Sequence, residues 1–598
     1  MSRNMRAAPS HPHGHIGNLL SPATFTLTPP VGPPPPPPTG PIPAIPPAAS
    51  RTKSPPPSSR TLDIPLIANP RPKSPPPSPR GSSEIPILII APSQEVPPSA
   101  KVVKSLYPIH EEEDTIDINA LRPRRSSRAT VQKPWAPGPH TPYVLYDCQL
   151  IDPRNGIVRK DVTLFLAEGK IASVAPTTEK DRTRTTRHAG VKAVKIDGKG
   201  FFVCPGLIDC HVHLMAGNNN NNRGSSTTRQ ELAVMRSAGV LRGMLSNGFT
   251  TVRDAGGATL AHSKATEEFL VPGPRVFQGG KMLFQASGLG DTPESWERDE
   301  DSSSSCCGVM EGDAVSVGKV VDGVPECTKA VRECVRNGVN HINVCVSGGP
   351  TDDNYKSLLF NREELRAITS TSKNMKNIPV SAHCFTSAAI HHAIECNVDS
   401  IEHGNMLLPE TAQLMASKGI FLTPTLTPHT RPAISQQSSL AQKQNSLLGN
   451  AALRSLRTAH EAGVSMCFGT GTTPATLPFQ TYEFTIRSRF LPSNIVLQQA
   501  TINAAKLLGM EGKLGEIVPG ALADLLFLRR NPLVDVDCLD DVGAEGDARD
   551  EQSAAKAEGE KDLASRRAGG NLALVMKDGR IVLSRIDGVG VERACAWD

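Results

Sequence analysis

The chain has 598 residues, with 64 Lys and Arg against 59 Asp and Glu, and 53 of its residues are proline. The first 140 residues hold 34 of the prolines and a charge balance of +7, which leaves the remainder near −2 although the whole carries +5. The basic excess therefore belongs to the tail and gives the folded part no reason to bind nucleic acid; with no run of about 18 apolar residues, nothing is expected to span a membrane.

The tail, residues 1–140, opens on MSRNMRAAPSHPHGH, which has no apolar signal-peptide run, and continues through Pro33 to Pro38 into a near-repeat, RTKSPPPS at 51–58 and RPKSPPPS at 71–78. Small apolar patches follow each copy at Ile64 and Ile85. So little apolar surface cannot offset the entropy of ordering the segment, so it is expected to be disordered with polyproline II character. Its candidate partners are a proline-recognition module, or a kinase acting near Ser54 and Ser74; an unstructured tail without a role is the simpler reading. The 13 cysteines show no paired spacing, and with no signal peptide they read as reduced thiols in a cytoplasmic protein, Cys204, Cys210, Cys306 and Cys307 among them as ordinary core or loop residues.

Order is expected from about residue 141. YVLYDCQLID, DVTLFLAEGKIASVAP and AVKIDGKGFFVCPG read as short strands with tight turns at Gly169 and Gly198, the first part (141–203) of a small β-sandwich. From Glu231 helical stretches alternate with short apolar runs, FTTVRDAG, NHINVCVSGG, IPVSAHC, DSIEHGN, IFLTPT and VSMCFGT, which predicts βα units and a parallel sheet over 204–510. A closed (β/α)8 barrel is the economical solution. Strand-like text returns in LGEIVPGALADLLFLRRNPL and LALVMKDGRIVLSR, so 511–598 is expected to complete the sandwich, interrupted by a charged, Ala-rich loop at 540–570.

The strongest chemical signal is FFVCPGLIDCHVHL, an apolar strand ending in His211-Val-His213. Residues two apart on a strand point the same way, and two imidazoles so placed can hold one divalent ion. At the C-terminal end of the first barrel strand this pattern lies where barrel active sites are built.

At these residues the sequence resembles the amidohydrolase superfamily, in its imidazolonepropionase-like and prolidase-like branch that also contains ochratoxin-hydrolysing enzymes. The likeness continues in order through FTTVRDAG, GPRV, SGG at 347–349, AHC at 382–384, SIEHG at 400–404, TINAA at 501–505, GALAD at 520–524 and VMKDG at 575–579. The resemblance implies a site of two HxH histidines, a carboxylated lysine bridging two metals, one histidine from each of two later strands and a final aspartate. His211 and His213 match the first pair, and His383 and His403 the later two. Asn343 stands in the lysine's place, Gly471 in the aspartate's, and Leu289 near the place of a further histidine; Asn218 to Asn222 form a low-complexity run just after HxH.

Asparagine cannot form a carbamate, and glycine supplies neither ligand nor general base. Four histidines shared between two metals would give each only two neutral ligands, where a catalytic zinc normally has three. Asp209 and Asp254, near strand ends, are the acids that could substitute, although loop-capping is the simpler role for both. The resemblance thus implies a hydrolase of carbon–nitrogen bonds in small-molecule amides, such as an N-acyl amino acid or a dipeptide, using zinc or another divalent metal, with a degenerate site. A barrel of the same ancestry that binds a small molecule or partner without catalysis is the second reading, a decaying gene or faulty gene model the third, and an oligomer is open to any of them.

Overall fold

The computed structural model describes residues 135–216, 230–286, 288, 317–349, 356–430, 439–540 and 570–592. The tail before 135, Asn218 to Asn222, Leu289, Cys306, Cys307 and nearly all of the 540–570 loop lie outside these residues. No described helix is long and apolar enough to cross a membrane.

The first strands are β1 (Tyr143–Asp152), β2 (Ile157–Ala167), β3 (Lys170–Pro176), β4 (Val194–Asp197) and β5 (Phe202–Pro205). Eight more follow as β6 (Leu207–Val212), β7 (Phe249–Asp254), β8 (Arg275–Gln278), β9 (Met282–Phe284), β10 (Gly318–Val320), β11 (Ile342–Cys345), β12 (Val380–Thr386) and β13 (Ser400–Met406). The last are β14 (Phe421–Thr423), β15 (Leu525–Leu528), β16 (Leu572–Lys577) and β17 (Arg580–Ser584).

Segments 143–205 and 525–584 enter one eight-stranded sheet in the order β17-β16-β15-β5-β1-β2-β3, with β4 also paired to β1. The seam is antiparallel, β15 against β5, pairing Leu525 with Pro205 and Leu528 with Phe202. Hydrogen bonding runs along a single path through this seam, which joins the two halves edge to edge. Period-2 alternation then divides the side chains. Leu525 and Phe527 pack with Leu145, Leu164 and Met576 on one face, while Leu526 and Leu528 turn to the larger core on the other.

The middle of the chain is parallel throughout: β8-β7-β6 form one sheet and β10-β9-β11-β12-β13-β14 another, with helices between most strands. Segment 466–472 links their far edges by parallel bridges, Met466 to Leu422, Gly469 to Thr425 and Thr472 to Val212. These strands are buried on both faces, so they read as continuous apolar runs and not as alternating ones. A helix spanning Arg362–Lys376 shows how local chemistry sets the pattern. Asn361 accepts from the backbone N–H groups of Glu363 and Glu364, and Glu364 returns the bond to the Asn361 N–H, closing a capping box that starts the helix.

One buried ion pair fastens segment 466–472. Arg487, without solvent exposure, donates to Glu483 at 2.8 Å, to Gln499 at 2.6 Å, and to the carbonyls of Cys467 and Pro424 at 3.1 and 2.7 Å. Glu483 accepts in turn from the backbone N–H groups of Leu426 and Thr427 and from the Thr427 hydroxyl. Removing one partner of such a pair leaves an uncompensated buried charge. Arg487→Ala is expected to lose about 3–5 kcal/mol in urea unfolding, and Arg487→Met combined with Glu483→Gln to recover part of that loss; a cost under about 1 kcal/mol for the single variant would remove the pair from the account.

Candidate metal centre

β6, β12 and β13 carry the histidines to one place. His211 and His383 ring centroids are 5.1 Å apart, His211 and His403 4.7 Å, and His383 and His403 5.1 Å. One ligand nitrogen from each of His211, His383 and His403 lies within 4.8 Å of the other two, and all three side chains are buried. His213 stands beside His211, centroids 5.2 Å apart, but outside that triplet. Of the four histidines singled out from the sequence, three therefore lie close enough for their nitrogens to share one ion, with the fourth adjacent.

The position of His403 rests on its backbone. Its φ is 71°, followed by Gly404 at 63°, so two consecutive residues are left-handed. A non-glycine residue there is uncommon and persists only where its surroundings fix it. Phe385 stacks on the His403 ring at 4.6 Å and 12°, the Thr425 hydroxyl lies 2.7 Å from Nδ1, and His383 Nδ1 lies 3.0 Å from Nε2.

The same turn brings Glu402, one residue earlier, against the same cluster. Its Oε2 lies 2.8 Å from His211 Nδ1, and its Oε1 accepts from Arg253 at 2.7 Å and lies 3.1 Å from the hydroxyls of Ser381 and Ser400. Arg253, also buried, donates further to the Cys210 carbonyl at 2.6 Å. Glu402 and Arg253 are contained in SIEHG and FTTVRDAG, yet strand alternation places neighbours such as Glu402 and His403 on opposite faces. The signal that could have found Glu402 is a carboxylate directly preceding a histidine ligand candidate, since ligating imidazoles usually donate their second N–H to such a group.

The departures have structural consequences. Asn343, on β11, is fully buried; its Oδ1 lies 3.0 Å from the Ser381 hydroxyl and its Nδ2 has no partner. Gly471 has φ of +65° and donates its N–H to the His211 carbonyl at 2.8 Å; a Cβ there would stand 2.9 Å from Pro428 Cγ. The backbone at this position is shaped around glycine. Leu289 is outside the described residues.

Asp209 and Asp254 are engaged as loop anchors. Asp209 accepts from the N–H groups of His211 and Thr470, the Thr470 hydroxyl and Gln480; Asp254 accepts from the N–H groups of Leu214, Gly256 and Ala258. Burial raises both carboxyls, to about 6 and about 7, against the hydrogen bonds that lower them.

Burial also keeps the imidazoles neutral. His211, His383 and His403 are held well below 6.5, first by desolvation, and then by the charge of His213 and Arg253 on His211 and of His211 on both His383 and His403. Desolvation takes His213 to about 4 and His341 to about 3. Neutral imidazole is the form that ligates a metal. Nε2 of His211 and of His383 is buried without a hydrogen-bond partner. Three neutral imidazoles, two with an unpartnered Nε2 and the third, His403, bonded through Nε2 to His383 and through Nδ1 to Thr425, fit a single divalent cation if the His383–His403 bond gives way to it; one of them, His211, is backed by a carboxylate. They do not supply the anionic bridge that a pair of cations needs.

The amidohydrolase family model matches residues 202–582. Ochratoxinase of Aspergillus niger is 30% identical over 345 residues, covering 56% of this chain and 71% of that protein. Among solved structures, one described as an amidohydrolase is 33% identical with a TM-score of 0.62, covering 75% of this chain and 100% of the other. A prolidase complexed with N-methylphosphonate-L-proline is 32% identical with a TM-score of 0.61, covering 74% and 99%.

The buried groups make stability depend on pH in a definite direction. His211, His213, His262, His341, His383 and His403 have folded pKa values below 6.5, so as pH falls through 6.5 the unfolded chain takes up protons that the fold refuses. Asp209 and Asp254 oppose this, because their raised values let the fold bind protons that the unfolded chain releases above about 4. Each group contributes up to about 1.4 kcal/mol per pH unit, and six outweigh two. The melting temperature of the metal-free protein is expected to fall from pH 7 to pH 5, and His262→Gln, which can keep the helix cap at Thr259, to flatten that slope; a melting temperature that rises on acidification would contradict this.

Proposed function

The chain belongs to the amidohydrolase family, and from that premise we propose that it is a metal-dependent hydrolase of carbon–nitrogen bonds in small-molecule amides whose site holds one cation and works slowly. The observation that carries this reading is the triplet His211, His383 and His403, with its nitrogens within 4.8 Å of one another. The parallel strands are read as one (β/α)8 barrel over 204–510, with β8 and β9 as one interrupted strand, β10 as an edge strand beside β9 outside the barrel, and 466–472 as the eighth; the bridges on both sides of that segment support it. Segments 141–203 and 511–598 are read as the accessory unit, with the site at the C-terminal ends of the barrel strands.

His211, His383 and His403 would hold the ion, zinc by their ligand type, and His213 would line the site beside them. When bound, such an ion supplies Lewis acidity toward an amide carbonyl and toward water. The protein's own part is to present unprotonated imidazoles away from water, which burial accomplishes. His403 is oriented by Phe385 and Thr425. Where a general base belongs, Gly471 offers no side chain, and Asp209 and Asp254 are committed to backbone N–H groups. Loss of a general base costs about 10² to 10⁴ in rate, and turnover is accordingly expected to be slow. N-acyl amino acids, and dipeptides ending in proline, the latter suggested by the likeness to a prolidase, are the first to offer.

Asn343 and Gly471 favour a second reading, a non-catalytic barrel that binds such an amide. The purified protein is expected to contain about one divalent ion per chain after zinc loading, to hydrolyse N-acyl amino acids or Xaa-Pro dipeptides slowly, and to lose both properties in His211→Ala. Zinc retained without turnover on any substrate would select the binding reading. Failure to retain zinc at all would overturn the metal centre.

A further inference from the structure

Glu402 and Arg253 form a buried pair at the back of His211 that the hydrolytic reading does not use. Glu402 is the one carboxylate, among the described residues, hydrogen-bonded to a histidine of the triplet. An imidazole has one donor nitrogen when neutral. Held 2.8 Å from a carboxylate oxygen, which can only accept, His211 must carry its proton on Nδ1. Its Nε2 is then a lone pair, and that atom is buried and without a partner.

Arg253 acts in the opposite direction. Its guanidinium lies 2.7 Å from the other oxygen of Glu402 and is fixed by the Cys210 carbonyl and by Thr423 and Ser400 hydroxyls, at 2.6, 3.3 and 3.3 Å. It neutralises the one carboxylate that, among the described residues, bonds to an imidazole of the triplet. A divalent cation seated on the triplet would therefore meet correctly oriented nitrogens but little net negative charge.

We propose that Glu402 is a positioning residue that fixes His211 with Nε2 free for a metal, and that Arg253, by pairing with Glu402, holds the affinity of the triplet down. The proposal rests on the metal-centre reading for its second half; the first half concerns the metal-free protein. It implies opposite effects from the two members of one ion pair, which a purely structural pair does not give.

The test is zinc affinity, measured by competition with a chromophoric chelator, in the full chain and in Glu402→Gln, Arg253→Met and the double variant. Glu402→Gln is expected to weaken binding about 10- to 100-fold, and Arg253→Met to tighten it about tenfold or more by leaving the carboxylate uncompensated. The double variant buries no charge, so it tests the pair even where a single variant fails to fold; it is expected to bind more weakly than the parent. Equal weakening by both single changes, or a double variant that binds like the parent, would overturn the proposal.

A second measurement needs no metal. In ¹⁵N-histidine spectra of the metal-free chain, the His211 signal, assigned by its loss in His211→Ala, is expected in the Nδ1–H form, and in Glu402→Gln as a mixture of tautomers. If the parent takes up no zinc, the metal-centre reading fails, and the tautomer alone decides the role of Glu402: an Nε2–H parent, or a variant that keeps a pure Nδ1–H form, overturns it.

Discussion

The left-handed turn at His403 is the constraint on which the site depends. With ordinary extended backbone, Glu402 and His403 would face opposite sides of β13, and the cluster would have either the carboxylate or the imidazole. With φ of 71° at His403 and 63° at Gly404, both reach His211, Glu402 by a 2.8 Å hydrogen bond and His403 with ring centroids 4.7 Å apart. Strained backbone of this kind costs of order 1–3 kcal/mol and is retained where neighbours fix it. Here the neighbours are the Phe385 ring, the Thr425 hydroxyl and the His383 imidazole.

The second organising fact is the distribution of charge. The centre of the parallel strands contains a cluster of imidazoles kept neutral by burial, and one carboxylate already paired with one guanidinium. A bridged two-metal site depends on anions between its cations, and the positions to which the resemblance would assign a bridging lysine and an aspartate hold Asn343 and Gly471. A single cation asks for less: three imidazoles suffice as ligands in known catalytic zinc sites. Gly471 is also no simple vacancy, because its left-handed backbone, its bond to the His211 carbonyl and the nearness of Pro428 adapt the loop to a residue without a side chain.

Much of this was legible beforehand. The ordered motifs from FFVCPG to VMKDG announce the family, and HxH, AHC and IEHG name the four histidines. The two departures stand out because the flanking Ser-Gly-Gly and Phe-Gly-Thr are intact. The partition of the histidines was not legible: which three converge depends on strand twist and on the His403 backbone, neither of which leaves a periodic trace. Glu402 escaped for a related reason, as alternation places it and His403 on opposite faces. The joining of segments 143–205 and 525–584 into one sheet through the β15–β5 seam depends on a pairing over some 300 residues, which no local pattern encodes.

The central claim is that the triplet holds one ion and that no second ion sits beside Asn343. Anomalous diffraction at the zinc absorption edge from zinc-loaded crystals addresses it most directly. The account predicts a single strong peak among His211, His383 and His403. Two peaks sharing the site, or zinc found only away from these residues, would contradict it.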